Sequence, residues 1–137
     1  MTFEQLQEKV LEWADDKDLL HSGNAGVQFG KFIEEVFEFT TEFDAWKLYK
    51  KFKHDENIEQ DFSVEEVERW ENLRLEMGDI FVTLIILCEQ IGIDPLMCLD
   101  MAYKKISKRT GKTINGCFYK SEDLWIDKWE GDLIKIL

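Results

Sequence analysis

One proline in 137 residues, with no low-complexity tract or internal repeat, leaves little to hold this chain extended. Hydrophobic residues make up 45% and aromatics 13%, which suits a compact helical protein rather than a disordered or fibrous one. The length fits a single domain, residues 1–137, able to bury a real core. Cysteine is scarce: Cys88, Cys98 and Cys117 are odd in number and form no CxxC pair. Cys88 and Cys98 lie among apolar neighbours and are expected to be core thiols in a reducing, cytosolic setting. His21 and His54 are isolated, a poor basis for zinc or for a histidine-activated nucleophile. The longest apolar run, Ile80 to Cys88, is interrupted by Thr83, whereas a membrane span needs about 20 residues. No signal peptide is visible at the N-terminus. A GxxxxGK[ST] loop is missing too, so P-loop chemistry is excluded. Positive charge is in deficit, with a formal net charge of −12, which opposes general nucleic-acid binding.

The helical signals fill most of the chain. Thr2 and Gln5 form a capping-box pattern, and Leu6, Val10 and Trp13 follow at helical spacing, predicting a first helix from Thr2 to about Leu20. After the turn His21–Gly26, a long helix is predicted from about Val27 to Phe52. Phe32, Val36, Phe39, Phe43 and Trp46 form one apolar stripe of that helix, and Phe29, Ile33 and Phe37 another. A helix apolar on two sides packs against more than one neighbour, which suggests an oligomer. Lys53 to Phe62 reads as a loop. Ser63 and Glu66 open a third helix that runs to about Ile91, where Gly92 ends it, its second half apolar nearly all round. Asp94 and Pro95 start a fourth, ending near Arg109 before Thr110-Gly111. Residues 111–137 give mixed signals, including the turn-like Asn115-Gly116 and a possible short helix around Trp125 and Trp129. The expected fold is all-α, a bundle of about four helices (core about 1–110) with a less regular C-terminal extension.

Two pairs of carboxylates stand out against this frame. Residues three apart on a helix share a face, so Glu35 and Glu38 on the second helix can converge, as can Glu76 and Asp79 on the third. If the two helices are antiparallel neighbours, four carboxylates meet between them. An all-oxygen, highly negative ligand set suits Mg²⁺, Mn²⁺ or Ca²⁺ rather than zinc. With 29 Asp and Glu in the chain such patterns also arise by chance. Glu65, Glu66, Glu68 and Glu71 form a comparable cluster with polar neighbours and are expected at the surface. The first two pairs differ in their large apolar surroundings, where ionised carboxylates are costly unless paired or bound to metal. From Lys104 to Lys120 every charged residue is basic: Lys104, Lys105, Lys108, Arg109, Lys112 and Lys120. That cluster suits either a solvated helix end or a small anionic ligand. Gly78 is expected to let helices approach closely, and Trp46 to be core.

The ordered set Gln28, Lys31, Glu34-Glu35, Glu38, then Glu76-Met-Gly-Asp79 before an apolar helix, resembles the MazG-like nucleotide pyrophosphohydrolases and the related all-α dUTPases. The helix opening Gly92-Ile-Asp-Pro95 and closing Lys104-Lys105-Ile-Ser-Lys108-Arg109 extends the resemblance. So does the tail Gly111-Lys112, Asn115-Gly116, Phe118, Lys120 and Asp123, which is similar to a subgroup found in phages and Gram-positive bacteria. The likeness covers roughly residues 10 to 123, and the stretch between Glu38 and Glu76 is longer than the family usually shows. The resemblance implies hydrolysis of a nucleoside triphosphate to monophosphate and pyrophosphate. It implies Mg²⁺ (or Mn²⁺) held by Glu35, Glu38, Glu76 and Asp79, with Glu34 orienting water or a ligand from behind, or simply a surface glutamate. It places Lys105, Lys108 and Arg109 at the departing phosphates, and Gln28 and Lys31 as candidate contacts to base or phosphate. A homo-oligomer, dimer or tetramer, in the cytoplasm is expected. The non-enzyme alternative is an acidic helical interaction protein. A redox di-metal bundle would need Glu-x-x-His motifs, which the chain lacks.

Overall fold

The computed structural model describes residues 1–21, 24–55 and 64–124. The chain is all-α apart from a small C-terminal hairpin: α1 (Phe3–Asp16), α2 (Ala25–Asp55), α3 (Val64–Ile91) and α4 (Pro95–Ile106) precede β1 (Gly111–Ile114) and β2 (Cys117–Lys120). Contacts group the chain into two units, Met1–Pro95 and Leu96–Leu137, each described by itself below. Among the described residues no single helix is long and apolar enough to cross a membrane.

In the first unit the helix ends follow from local chemistry. The expected capping box is present: Gln5 N–H donates to Thr2 Oγ1 at 3.2 Å and Thr2 N–H donates to Gln5 Oε1 at 2.8 Å. The helix stops at Asp16, short of the expected Leu20, because Asp18 takes a left-handed φ of 59°. Leu19 N–H then donates to the Ala14 carbonyl and Asp18 N–H to Asp15, the paired bonds of a Schellman motif. The same device closes α3, with Gly92 at φ 78°, Ile93 N–H on the Cys88 carbonyl and Gly92 N–H on Glu89. The expected capping role of Ser63 falls outside the described residues.

Side-chain pairs fix how the helices run. Gln28 meets Thr83, Trp46 meets Trp70 and Lys50 meets Glu66, so residue numbers fall along α3 as they rise along α2. The two helices form an antiparallel hairpin. Phe3 packs edge-on against Phe81, and Gln90 donates to the Leu19 carbonyl, so α1 runs alongside α3 in the same direction. The core is small: Ala14, Ile85, Ile86 and Cys88 are its buried apolar residues among those described.

Three expectations are corrected here. Glu66 is buried, 7% exposed, rather than at the surface. At that end of the hairpin Phe39, Phe43, Trp46 and Trp70 form a continuous run of stacked rings. Glu66 lies beside this run, and Lys50 reaches across to it at 3.1 Å. Gly78 does not serve close packing, since a Cβ there would meet nothing within 4 Å; nothing in the structure explains the glycine. Cys98 is exposed while Cys88 is buried. The Lys50–Glu66 pair supports a stability prediction. Removing one partner of a fully buried pair costs about 3–5 kcal/mol. Because Lys50 is half exposed, Lys50→Met should lower unfolding stability by about 1–3 kcal/mol. Urea denaturation measures this, and an unchanged midpoint refutes it.

In the second unit α4 ends at Ile106, earlier than the expected Arg109, and buries none of its residues. The Asn115-Gly116 turn is sharper than a loop requires, with both residues at positive φ, 51° and 79°. That is the twist a two-residue hairpin turn needs. The strands it joins pair antiparallel, with Gly111 opposite Lys120. Gly111 is required: a Cβ there would collide with the Tyr119 carbonyl oxygen. The possible helix around Trp125 and Trp129 lies outside the described residues.

Candidate functional site

The antiparallel pairing of α2 and α3 carries the carboxylates of the two helices to one place. One oxygen each from Glu35, Glu38 and Glu76 lies within 4.8 Å of the others. Two oxygens on a single ion are separated by at most twice the bond length, about 4.2 Å for Mg²⁺ and about 5 Å for Ca²⁺. The cluster is therefore near the size of a shared cation and requires only side-chain adjustment to close on one. Glu35 and Glu76 are half-buried and Glu38 is exposed. Asp79, on the same side of α3, lies outside this group of three and is exposed, but its charge acts on both Glu35 and Glu76.

The electrostatics of the cluster are unfavourable as it stands. Burial, followed by the charges of Glu38, Asp79, Glu76 and Glu34, pushes the Glu35 carboxyl above the ordinary carboxylate value. Burial, then Glu38, Asp79 and Glu42, does the same to Glu76. Among the described residues no cation forms an ion pair with Glu35, Glu38 or Glu76. Oε2 of Glu76 is buried without a hydrogen-bond partner. A carboxylate with one unpartnered oxygen, gathered with two further carboxylates, fits a hard divalent cation. Glu42 was not singled out in the sequence, although its position one turn beyond Glu38 on the same stripe was a readable signal.

Gln28 is buried at 8% exposure, and its amide donates to the Thr83 carbonyl at 3.2 Å, tying α2 to α3. Thr83 Oγ1 in turn donates to carbonyls of its own helix, Asp79 and Ile80. Lys31 donates to Glu34 at 2.7 Å on the exposed side of α2. That hydrogen bond and the charge of Glu34 raise the Lys31 pKa, and Glu35 and Glu38 add to the effect. Glu34 is thus paired with Lys31 and is not one of the group of three. Lys105, Lys108 and Arg109 belong to the second unit, where they line one cleft. No protein-family model matches the chain, and neither a curated protein nor a solved structure matches it.

Proposed function

We propose that this protein is a divalent-metal-dependent hydrolase that converts a nucleoside triphosphate and water to a nucleoside monophosphate and pyrophosphate. The observation that carries the reading is the meeting of Glu35, Glu38 and Glu76 across the α2–α3 hairpin, with one Glu76 oxygen left unpartnered. Half-buried like charges without a cation are destabilising unless a ligand joins them. The nature of the reaction comes from the resemblance of the ordered motif set to the MazG-like pyrophosphohydrolases.

Glu35, Glu38 and Glu76, with Asp79 nearby, would hold Mg²⁺ or Mn²⁺, which when bound neutralises phosphate oxygens and makes a bound water more acidic. The chain's own contributions are positional and electrostatic. Gln28, bonded to Thr83, fixes the register of the two ligand-bearing helices. Lys31 pairs with Glu34, the residue to which the resemblance gives the orienting of water. The resemblance gives Lys105, Lys108 and Arg109 a charge-matching role toward the departing phosphates, one that would need no proton transfer. Water's oxygen ends on phosphorus, the bond between the α and β phosphates breaks, and the proton is released to solvent.

The exposed apolar side of α2 supports a homo-oligomer, dimer or tetramer. Phe29, Phe37 and Leu48 lie largely in the open, more apolar surface than one helix ordinarily leaves to water. Three free thiols suit a reducing cytoplasm.

The decisive assay is pyrophosphate release from a panel of ribo- and deoxynucleoside triphosphates, with Mg²⁺ and with EDTA. Release with Mg²⁺ that EDTA abolishes is expected. If the folded protein releases nothing and binds neither Mg²⁺ nor Mn²⁺ by calorimetry, the chain is an acidic interaction protein instead.

A further inference from the structure

The second unit contains a cleft whose composition departs from the rest of this acidic protein. Where α4 ends and the hairpin returns, Lys105, Lys108 and Arg109 line a cavity of about 460 Å³ together with Lys120 from the end of β2. Ligand sites typically measure about 300–1,000 Å³. The hairpin register places Lys120 opposite Gly111, the residue that allows the strands to pair. Lys120 reaches the same cleft as Lys105, Lys108 and Arg109 although the sequence separates them by the whole hairpin.

The polar groups between these cations are organised. Ser121 N–H donates to the Thr110 carbonyl at 2.8 Å, and the hydroxyls of Ser121 and Thr110 are hydrogen-bonded at 3.0 Å. Two hydroxyls therefore sit among four cations on a wall cross-linked by its own backbone. Among the described residues, Lys105, Lys108 and Arg109 form no ion pair. The neighbouring Lys104 differs, being bound to Asp100 at 2.6 Å and lying off the cleft. Among the described residues, the one carboxylate in the lining is Glu122, which approaches Lys120 only to 3.8 Å and is largely exposed. Gathering like charges around a cleft is unfavourable in isolation and is offset when a multivalent anion enters.

We propose that this cleft binds a phosphate-class anion of pyrophosphate size, with Lys120 and the Thr110–Ser121 hydroxyls completing a site begun by Lys105, Lys108 and Arg109. The inference builds on the role proposed above for Lys105, Lys108 and Arg109. It adds the hairpin as a binding element and requires no metal. Glu122 is a weak internal competitor for Lys120, displaced when the anion arrives.

Calorimetry of the full chain with sodium pyrophosphate in EDTA at low salt tests this. Wild type should bind, more tightly than it binds inorganic phosphate, and should weaken as salt is added. Lys120→Gln should weaken binding about tenfold or more, and Lys120→Arg should recover most of it. Glu122→Gln should tighten it, which a merely structural role for the hairpin would not produce. Lys104→Ala and Glu35→Gln should leave it unchanged. No binding in EDTA overturns the proposal, as does full affinity in Lys120→Gln. Binding that requires Mg²⁺ and disappears in Glu35→Gln places the anion at the carboxylates; the hydrolase reading then survives and this one fails. Binding in EDTA by a protein that hydrolyses no nucleotide has the opposite meaning.

Discussion

Glu35→Gln is expected to lower Mg²⁺-dependent pyrophosphate release by roughly 10²–10³-fold while raising the melting temperature of the metal-free protein. The two effects have opposite signs because they arise from the same charge. Burial and the surrounding carboxylates disfavour the ionised form of Glu35, and likewise of Glu76. An acid whose pKa is raised on folding contributes stability that is fully present below its unfolded pKa. That contribution is lost as pH rises through the higher folded value. At neutral pH the wild type has therefore lost it, and an amide at position 35 avoids the loss. Scanning calorimetry in EDTA should show wild type gaining stability, as far as these two groups are concerned, when pH falls from neutral into the carboxylate range. The Gln variant should gain less. Excess Mg²⁺ at neutral pH should reverse the ranking by stabilising wild type in proportion to its affinity. A variant both inactive and less stable in EDTA would mean that Glu35 supports the fold rather than a ligand.

The second large effect concerns assembly. Phe37→Glu is expected to convert an oligomer to a monomer in sedimentation without disturbing helix content. Phe37 is 68% exposed, on the side of α2 that also carries Phe29. Burying such a ring contributes about 1.5–3 kcal/mol, and placing a charge in the interface adds to the loss. Dissociation should strengthen by roughly 10²-fold or more for each contact affected. Wild type that sediments as a monomer at high concentration sinks the idea, and the apolar side of α2 then needs another partner.

The parts of this structure that follow local rules were legible in the sequence. Thr2 with Gln5, Gly92 and Asn115-Gly116 act within a few residues, and each does in the structure what its chemistry predicts. The Glu35/Glu38 and Glu76 convergence was legible because a three-residue helical spacing and one antiparallel hairpin suffice to produce it. The failures are tertiary. Glu66 looked like its neighbours Glu65, Glu68 and Glu71, and only the packing of Trp46 and Trp70 distinguishes it. Cys98 has apolar neighbours in sequence, yet α4 buries none of its residues. The short strands carried no visible alternation, because every residue in them is exposed or half-exposed. Lys120 was legible as a basic residue but not as a neighbour of Arg109, since the hairpin register decides that.

The antiparallel α2–α3 hairpin also has a consequence for the order of events when the chain folds. Its two helices are consecutive, so their pairing is local and should form early. Yet the same pairing forces Glu35 and Glu38 against Glu76 before any counter-charge is built into the chain. The transition state for closing the hairpin therefore carries repulsion that a proton or a divalent ion can relieve. In kinetic terms the carboxylate cluster should act as a brake on refolding, and neutralising it is expected to change the folding limb more than the unfolding limb.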